Sequence, residues 1–597
     1  MNDLVEPVLP RRLSTIRLAG RAASAKRAEA VAPDCSGLDF YEIDPSLRDL
    51  LPLYMDAPLL AHLTPHLQRL GRLAGGRLND LSIAAEKHPP VLHPRDRFGR
   101  DEEWIEHHPA YHEMEKIAYY EFGMHAMSHR AGVLGWGAPM PPLAKQMFHY
   151  LFAQAEFGIL CPVNVTDSSS ELVHRFGSKE IRARFLDALW SQDPAKHLRC
   201  TQFMTEKAGG SDAGAAELTA VRDGDHWRLY GEKWFCSNVD ADLAVLLARP
   251  EDAVPGGRGL GLFLMPRTLD DGTRNSFRVV RLKDKLGSKS MPSGEILFDG
   301  AVAYQLGDLD RGMKHMLEMV NSSRISHLTR AAGMMRRCLN EAMVVARHRR
   351  AFGKTLIDHP LLRRQLLKLM VPTEQALSAL MFTSQVAAEG SSKTLRMLTP
   401  VVKYRACRDN VSVATGAMEV RGGNGYIEDW PNARLVRDSH LGLLWEGTSN
   451  INGLDAIQRA VGKERAHLAL REDLEAKLAG TSLPGQFRTR LANGIDRAFA
   501  FAEEVASAPE NERFIRVATG GLYHALTAVL LASEGQHLGA AGGDARRLLL
   551  ARCVLEHRLN DRPGLSLKGL AWEEEATSLL LSTDPVSLNQ AESLLVA

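Results

Sequence analysis

Apolar residues recur at three- and four-residue intervals early in the chain, at Leu50-Leu51, Leu53, Leu59-Leu60, Leu63, Leu67 and Leu70. That spacing lines one face of a helix, so residues 48–196 are predicted to be helical. Within them Met147-Phe148-His149-Tyr150-Leu151-Phe152 carries no charged residue and predicts a buried helix. The Pro-, Arg- and Asp-rich run Pro89 to Pro109 predicts an interrupting loop. From 197 to 303 the texture changes. Short apolar and β-branched runs alternate with Gly and Asp turns: Trp227 to Tyr230, Leu243 to Ala248, Leu260 to Met265, Phe277 to Leu282, and Glu295 to Phe298. This is the pattern of a compact β-barrel or sandwich. Beyond Gly312 helical spacing returns over Met313 to Arg350, Leu361 to Ala388 and Pro400 to Val420. Thr399 reads as an N-cap there, with Pro400 in the first turn. Long helices with few breaks predict antiparallel bundle packing. Residues 461–597 also read as helical, with breaks at Gly480 to Pro484 and Gly539 to Gly543.

The 597 residues exceed one compact core. The layout is α+β and multidomain: an N-terminal extension (1–47), a helical domain (48–196), a central β-barrel (197–303), a helical bundle (304–460) and an extra helical domain (461–597). A formal net charge of +1 predicts no general attraction to nucleic acid or acidic membranes. The seven cysteines are scattered and lack paired metal spacing, so they read as small buried hydrophobes in a reducing compartment, with no metal. No uninterrupted apolar stretch is long enough to cross a bilayer. Arg11, Arg12, Arg17, Arg21, Lys26 and Arg27 could mark a transit peptide, but Asp3, Glu6, Glu29 and Asp34 are interspersed, and a flexible extension of a cytoplasmic protein is the reading preferred.

Motifs carry the chemistry. Thr205-Glu206-Lys207-Ala208-Gly209-Gly210-Ser211-Asp212 sets two hydroxyls around a glycine pair, where backbone can approach a flavin rim or pyrophosphate. Lys233-Trp234-Phe235-Cys236-Ser237-Asn238 places aromatics beside a hydroxyl; taken alone, a buried core aromatic is the commoner fate. Arg349-Arg350-Ala351-Phe352-Gly353-Lys354 offers a guanidinium fork for phosphate, although such runs are usually solvated helix ends. The last set joins Arg421-Gly422-Gly423-Asn424-Gly425-Tyr426, Arg437-Asp438 and Trp445-Glu446-Gly447-Thr448-Ser449-Asn450. Thr448 or Ser449 reads as an N-cap, which puts Glu446 just before a helix N-terminus, beside apolar Trp445. A carboxylate fixed there is a candidate general base.

In this order and spacing the motifs resemble the acyl-CoA dehydrogenase superfamily across residues 50–460. His88-Pro89-Pro90, Phe98-Gly99-Arg100, His107-His108-Pro109, Leu160-Cys161-Pro162, Leu282 to Gly287 and Met334-Met335-Arg336-Arg337 resemble its AidB-like, adaptive-response subgroup. The resemblance implies a helical domain, a β-barrel, a four-helix bundle and a further helical domain, assembled as a homotetramer. It implies bound FAD contacted by Thr205, Ser211, Phe235, Ser237, Thr448 and Asn450. Arg349, Phe352 and Gly423 would reach pyrophosphate or adenosine, often across a subunit boundary. Glu446 would be the catalytic base, Arg324 a catalytic arginine beside it, and Trp445 and Gly447 substrate contacts. Departures are Phe235, where Trp is common; Glu419, where Gln is common; and Trp445, where Tyr is common and where added bulk hints at a short or branched acyl group.

The implied reaction is α,β-desaturation of an acyl-CoA, with electrons passed to an electron-transferring flavoprotein or similar acceptor. Desolvation would raise the Glu446 pKa, while Arg324 and the helix N-terminus would lower it; composition leaves that balance open. The AidB resemblance also implies the alternative of a DNA-alkylation response protein that binds nucleic acid. Beyond Val461, however, Glu503-Glu504 and Glu573-Glu574-Glu575 offset Arg488, Arg490, Arg546 and Arg547, which disfavours DNA as a partner. An oxidase that uses O₂ is a third option, and the C-terminal Leu-Leu-Val-Ala is not a peroxisomal signal.

Overall fold

The computed structural model describes residues 31–560 and 569–596. The basic run Arg11 to Arg27 lies outside them. Residues 31–47 are packed against the body: Cys35 and Phe40 are buried, and the Cys35 N–H donates to Glu341 Oε1 at 3.1 Å.

The N-terminal helices are α1 (Pro45–Tyr54), α2 (Ala57–Gly75), α3 (Arg77–Lys87), α4 (Pro109–Glu115), α5 (Pro142–Ala153), α6 (Leu160–Phe176) and α7 (Lys179–Leu189). Asp44 starts α1 by accepting from the Leu47 N–H at 3.1 Å, with Pro45 in the first turn. The uncharged run in α5 is buried throughout, as its pattern predicts. The expected loop at Pro89 to Pro109 instead holds a hairpin, β1 (Val91–Arg95) with β2 (Asp101–Glu106). Its acidic strand carries no apolar alternation, so the pattern hides it. Docking on the barrel creates it: Ile105 joins the barrel core, and Glu103 accepts the Val279 N–H at 2.6 Å.

The barrel strands are β3 (Cys200–Phe203), β4 (Thr219–Asp223), β5 (His226–Ser237), β6 (Leu243–Pro250), β7 (Gly261–Pro266), β8 (Phe277–Leu282) and β9 (Ser293–Leu306). β4, β5, β9, β7 and β6 pair in sequence, and the start of β4 pairs with the end of β6, closing the ring. Alternation on β6 serves two cores. Ala244, Leu246 and Ala248 fill the barrel, while Leu243, Val245 and Leu247 pack towards the helices. Covering both faces makes β6 a continuous apolar run.

The bundle contains α8 (Gly312–His348), α9 (Pro360–Glu389) and α10 (Ser392–Arg421). Between α8 and α9 lies a short hairpin, β10 (Arg350–Ala351) with β11 (Lys354–Thr355). After α11 (Pro431–Ser439), α12 (Ser449–Leu454) continues as a π-helix from Asp455 to Lys463 and packs on α10. Thr399 and Pro400 do not start a helix: α10 begins at Ser392 and runs through Pro400. Burial of Met397, Leu398, Val401 and Val402 holds this stretch helical although Pro400 has no N–H to donate. The Thr399 hydroxyl donates back to the Leu395 carbonyl at 2.7 Å.

The C-terminal domain comprises α13 (His467–Ala479), α14 (Gly485–Ser507), α15 (Ile515–Ala540), α16 (Arg546–Val554), α17 (Ala571–Leu581) and α18 (Leu588–Val596), with breaks at both predicted glycine runs. An ion network bolts it to the body. Arg547 of α16 donates to Glu374 of α9 at 2.8 Å and to Glu534 of α15 at 2.8 Å. Glu374 also accepts from Arg336 of α8 at 2.6 Å, and Glu534 accepts from Tyr54 of α1 at 2.8 Å. The Met334-Met335-Arg336-Arg337 motif is therefore an assembly device: Arg337 pairs with Glu341 at 2.8 Å, and Glu341 also receives Arg421 at 2.6 Å. All seven cysteines are buried.

Candidate active site

The aromatic pair sits on a bulge. β5 pairs with β9 at Lys233↔Ile296 and again at Cys236↔Gly294, with a register shift between. The extra residue turns consecutive side chains outward, so neither ring joins the barrel core: Trp234 is half-buried and Phe235 is 54% exposed. Lys283 Nζ covers Trp234, 3.3 Å from the ring centroid. Phe235, with the same ammonium 4.9 Å from its centroid, is the more open ring. Ser237 follows, its hydroxyl 3.5 Å from that of Ser293.

The loop after β3 leans on the same strand. The Trp234 N–H donates to the Thr205 carbonyl at 2.8 Å. Glu206 anchors the turn from inside: its carboxylate takes the Lys233 ammonium and the N–H of Glu217 at 2.5 Å. Gly210 lies close to Thr205, where a Cβ would come within 3.2 Å of the Thr205 hydroxyl oxygen. Ser211 is exposed at the rim.

Glu446 sits on a strained corner between α11 and α12. Its φ of +55° is unusual for a residue with a side chain, and Gly447 follows at +91°. Three side chains over-determine this backbone. Arg324 Nε donates to the Glu446 carbonyl at 3.2 Å. Lys403 Nζ donates to the Gly447 carbonyl at 2.6 Å. The Asn452 amide reaches the Gly447 and Thr448 carbonyls at 2.7 and 3.0 Å. Arg324 is itself held by Asp455 at 2.6 Å. Thr448 occupies the N-cap position but makes no capping bond with its side chain. Asn450 is exposed and accepts from Arg516 of α15 at 2.8 Å.

The carboxylate has its own partner, which no motif announced. Gln202 Nε2 on β3 donates to Glu446 Oε1 at 2.9 Å. The preceding residue, Thr201, donates through its hydroxyl to the Ser237 carbonyl at 2.6 Å. Two consecutive residues of β3 thus join the Phe235–Ser237 strand to Glu446. Burial pushes the Glu446 pKa up, against the opposing pull of Arg324, the Gln202 hydrogen bond, Lys403 and Arg330. Burial also brings the Lys403 ammonium down to about 8. Trp445 is half-buried beside the base, its ring centroid 6.0 Å from that of His327.

Arg349, Phe352 and Gly423 form a second corner. Arg349 donates to the Arg421 carbonyl at 3.2 Å, which sets it beside the Gly422-Gly423 turn. Phe352 and Gly353 turn the β10–β11 hairpin with φ of +49° and +77°, the signs a tight two-residue hairpin turn requires. Phe352 is 95% exposed. Among the described residues, no hydrogen bond, ion pair or ring contact links this corner to Glu446, Phe235 or Ser237.

Comparison with known proteins places this geometry. The AidB N-terminal domain family of adaptive-response proteins matches residues 31–193. The acyl-CoA dehydrogenase middle domain matches 201–301, and the C-terminal domain 310–462. The acyl-CoA dehydrogenase family member 11 of Caenorhabditis elegans is 33% identical over 475 residues, 76% of this chain and 75% of its own length. AidB of Escherichia coli (strain K12) is 32% identical over 425 residues, 68% of this chain and 74% of its own length. The crystal structure of Caenorhabditis elegans ACDH-11 in complex with C11-CoA aligns with a TM-score of 0.83 at 26% identity, over 92% of this chain and 94% of that one. With helical domains flanking a barrel and these matches along its length, the chain belongs to the acyl-CoA dehydrogenase family, as an oxidoreductase that acts on acyl-CoA.

Proposed function

We propose that this chain desaturates a short acyl-CoA between Cα and Cβ, with Glu446 as the base and FAD as its cofactor. The observation that carries the reading is the β3 link, in which Thr201 holds Ser237 while Gln202 holds Glu446. It ties a half-buried carboxylate to the strand that carries an exposed aromatic and a half-buried hydroxyl.

The residues present fit a flavin. Phe235 offers an open ring, the Thr205 and Ser237 hydroxyls are half-buried, and no heavy atom lies within 4 Å of a Cβ built on Gly423. Phe235, Thr205, Ser211 and Ser237 would hold the ring system, with Thr448 and Asn450 at its edge, and Arg349, Phe352 and Gly423 the phosphates or adenosine of a bound FAD. FAD supplies the acceptor for the hydride that leaves Cβ. The chain supplies the rest. Gln202 occupies Oε1 of Glu446 and leaves Oε2 to take the α-proton. Burial strengthens the carboxylate as a base. Arg324, Lys403 and Asn452 fix the peptide that carries it, and Arg324 also holds down the pKa that burial raises.

Trp445 beside the base favours a short or branched acyl group. The exposed Phe352 corner favours a second copy of the chain as its complement, and an electron-transferring flavoprotein remains the acceptor of choice. A nucleic-acid role gains no support from the C-terminal domain. Arg547 is paired with Glu374 and Glu534, Arg471 with Glu475 and Asp496, and Arg546 with Asp544. Such cations are already neutralised. The test is anaerobic addition of an acyl-CoA panel to purified flavoprotein. Bleaching of the flavin by a short member supports the reading; a yellow protein that no member bleaches overturns it.

A further inference from the structure

Below Arg324, the α8 face that meets the base is polar where an alkyl chain would call for apolar residues. Arg324, His327 and Arg330 follow at three-residue steps, each neighbouring the next along a strip that winds about 120° around the helix, and Arg330 acts electrostatically on both His327 and Glu446. Arg324 holds the Glu446 carbonyl, and His327 meets Trp445 edge-on. His327 is 1% exposed, and neither of its ring nitrogens has a hydrogen-bond partner.

Arg330 is 2% exposed. Its one hydrogen bond runs from Nε to the Ser326 carbonyl at 3.4 Å, and NH1 has no partner. Among the described residues no carboxylate lies within ion-pairing distance of it. Its compensation is the Phe157 ring, 5.0 Å from the guanidinium carbon, and the charges of Glu446 and Glu156 acting from beyond ion-pairing distance. Four other buried arginines are built differently: Arg336, Arg337, Arg421 and Arg547 each meet a carboxylate within 2.8 Å. A guanidinium does not escape burial by losing its proton, and an unpaired buried charge is strongly unfavourable. An alkyl tail laid against Arg330 and His327 would leave both unsatisfied. An anionic tail would satisfy both.

We propose that the acyl group accepted at this site ends in a carboxylate, received by Arg330 with His327 beside it. The proposal rests on the dehydrogenase reading above and narrows its substrate to ω-carboxyacyl-CoA thioesters. Arg330 stands two three-residue steps from Arg324, about 9 Å along the axis at the usual helical rise, which suits a short diacid chain.

The experiment compares glutaryl-CoA and adipyl-CoA with pentanoyl-CoA and hexanoyl-CoA on the flavoprotein and on Arg330→Met and Arg330→Lys, following flavin bleaching and Tm. Wild type should prefer the carboxylated chain in kcat/KM by about 100-fold or more, since a site built for a charged partner rejects the analogue that lacks it. Arg330→Met should invert that preference, and Arg330→Lys should keep part of it. Without ligand, Arg330→Met should raise Tm by removing an unpaired buried charge; an arginine with a purely structural role would lower it. Glutaryl-CoA should raise the wild-type Tm more than pentanoyl-CoA does, and that difference should vanish in Arg330→Met. If pentanoyl-CoA bleaches the flavin and glutaryl-CoA does not, or if Arg330→Met leaves the preference unchanged, the dehydrogenase reading stands and this proposal falls. If neither class bleaches the flavin or shifts Tm, both fall.

Discussion

The corner at Glu446 and the corner at Arg349 and Gly423 are built in opposite ways. The first is half-buried and over-determined, with a guanidinium, an ammonium and an amide on the carbonyls of consecutive residues. The second is exposed, with Phe352 projecting from a two-residue turn and a single bond from Arg349 to the Arg421 carbonyl. A base must be held within a fraction of an ångström to transfer a proton well, and the first corner supplies that restraint within one chain. The second has unfilled surface and donors, as a site completed by a ligand or by another copy would have. Substitutions at the first should therefore change chemistry, and those at the second should change cofactor content or assembly.

The largest effect that sharpens this contrast is at Arg324. Arg324→Ala frees the Glu446 peptide and leaves Asp455 short of a partner; rapid-mixing bleaching should slow by about 100-fold, the scale expected from a small misplacement of the base, with flavin content retained. Next comes Gln202. Gln202→Leu removes a hydrogen bond that favours the ionised carboxylate, so the pH midpoint of bleaching should move upward, while substitutions at the second corner leave it in place.

Wild type itself has a defined pH signature. The Glu446 pKa is raised by burial, so the bleaching rate should fall as pH is lowered, with a midpoint above the ordinary glutamate value. The stability sign follows. A carboxylate with a raised folded pKa opposes folding once ionised, and that penalty disappears at pH below the unfolded pKa, where both states are protonated. Glu446→Gln should thus melt higher than wild type near pH 7, and the gap should close on acidification in a calorimetric scan. The smallest effect is expected at the hairpin tip. Phe352→Ala should lower flavin retention or shift sedimentation, with little change in Tm, because the ring is almost wholly exposed. A slower proton-transfer step in that variant would break the comparison.

Much of the scaffold was legible in the chain because long periodic runs report burial directly. The barrel strands, the α5 core helix and the breaks near Gly480 and Gly539 fall where the pattern puts them. Glu446 was legible because glycine, hydroxyl and carboxylate occur together at a helix start. What stayed hidden depends on tertiary contact. The β1–β2 hairpin forms by docking Ile105 and Glu103 on the barrel. Pro400 lies inside a helix because its neighbours are buried. Gln202 is a single amide on a strand with no local signature, and Lys233 with Glu206 becomes an anchor only when β5 passes the loop. Arg330 looks like any helical arginine until its surroundings show that no carboxylate meets it.

The most direct test of the central claim is the flavin spectrum of Glu446→Gln during anaerobic mixing with an acyl-CoA that bleaches wild type. The expected result is a yellow protein of unchanged flavin content that the thioester does not bleach, since the amide cannot take the α-proton. Bleaching at the wild-type rate would show that Glu446 is not the base.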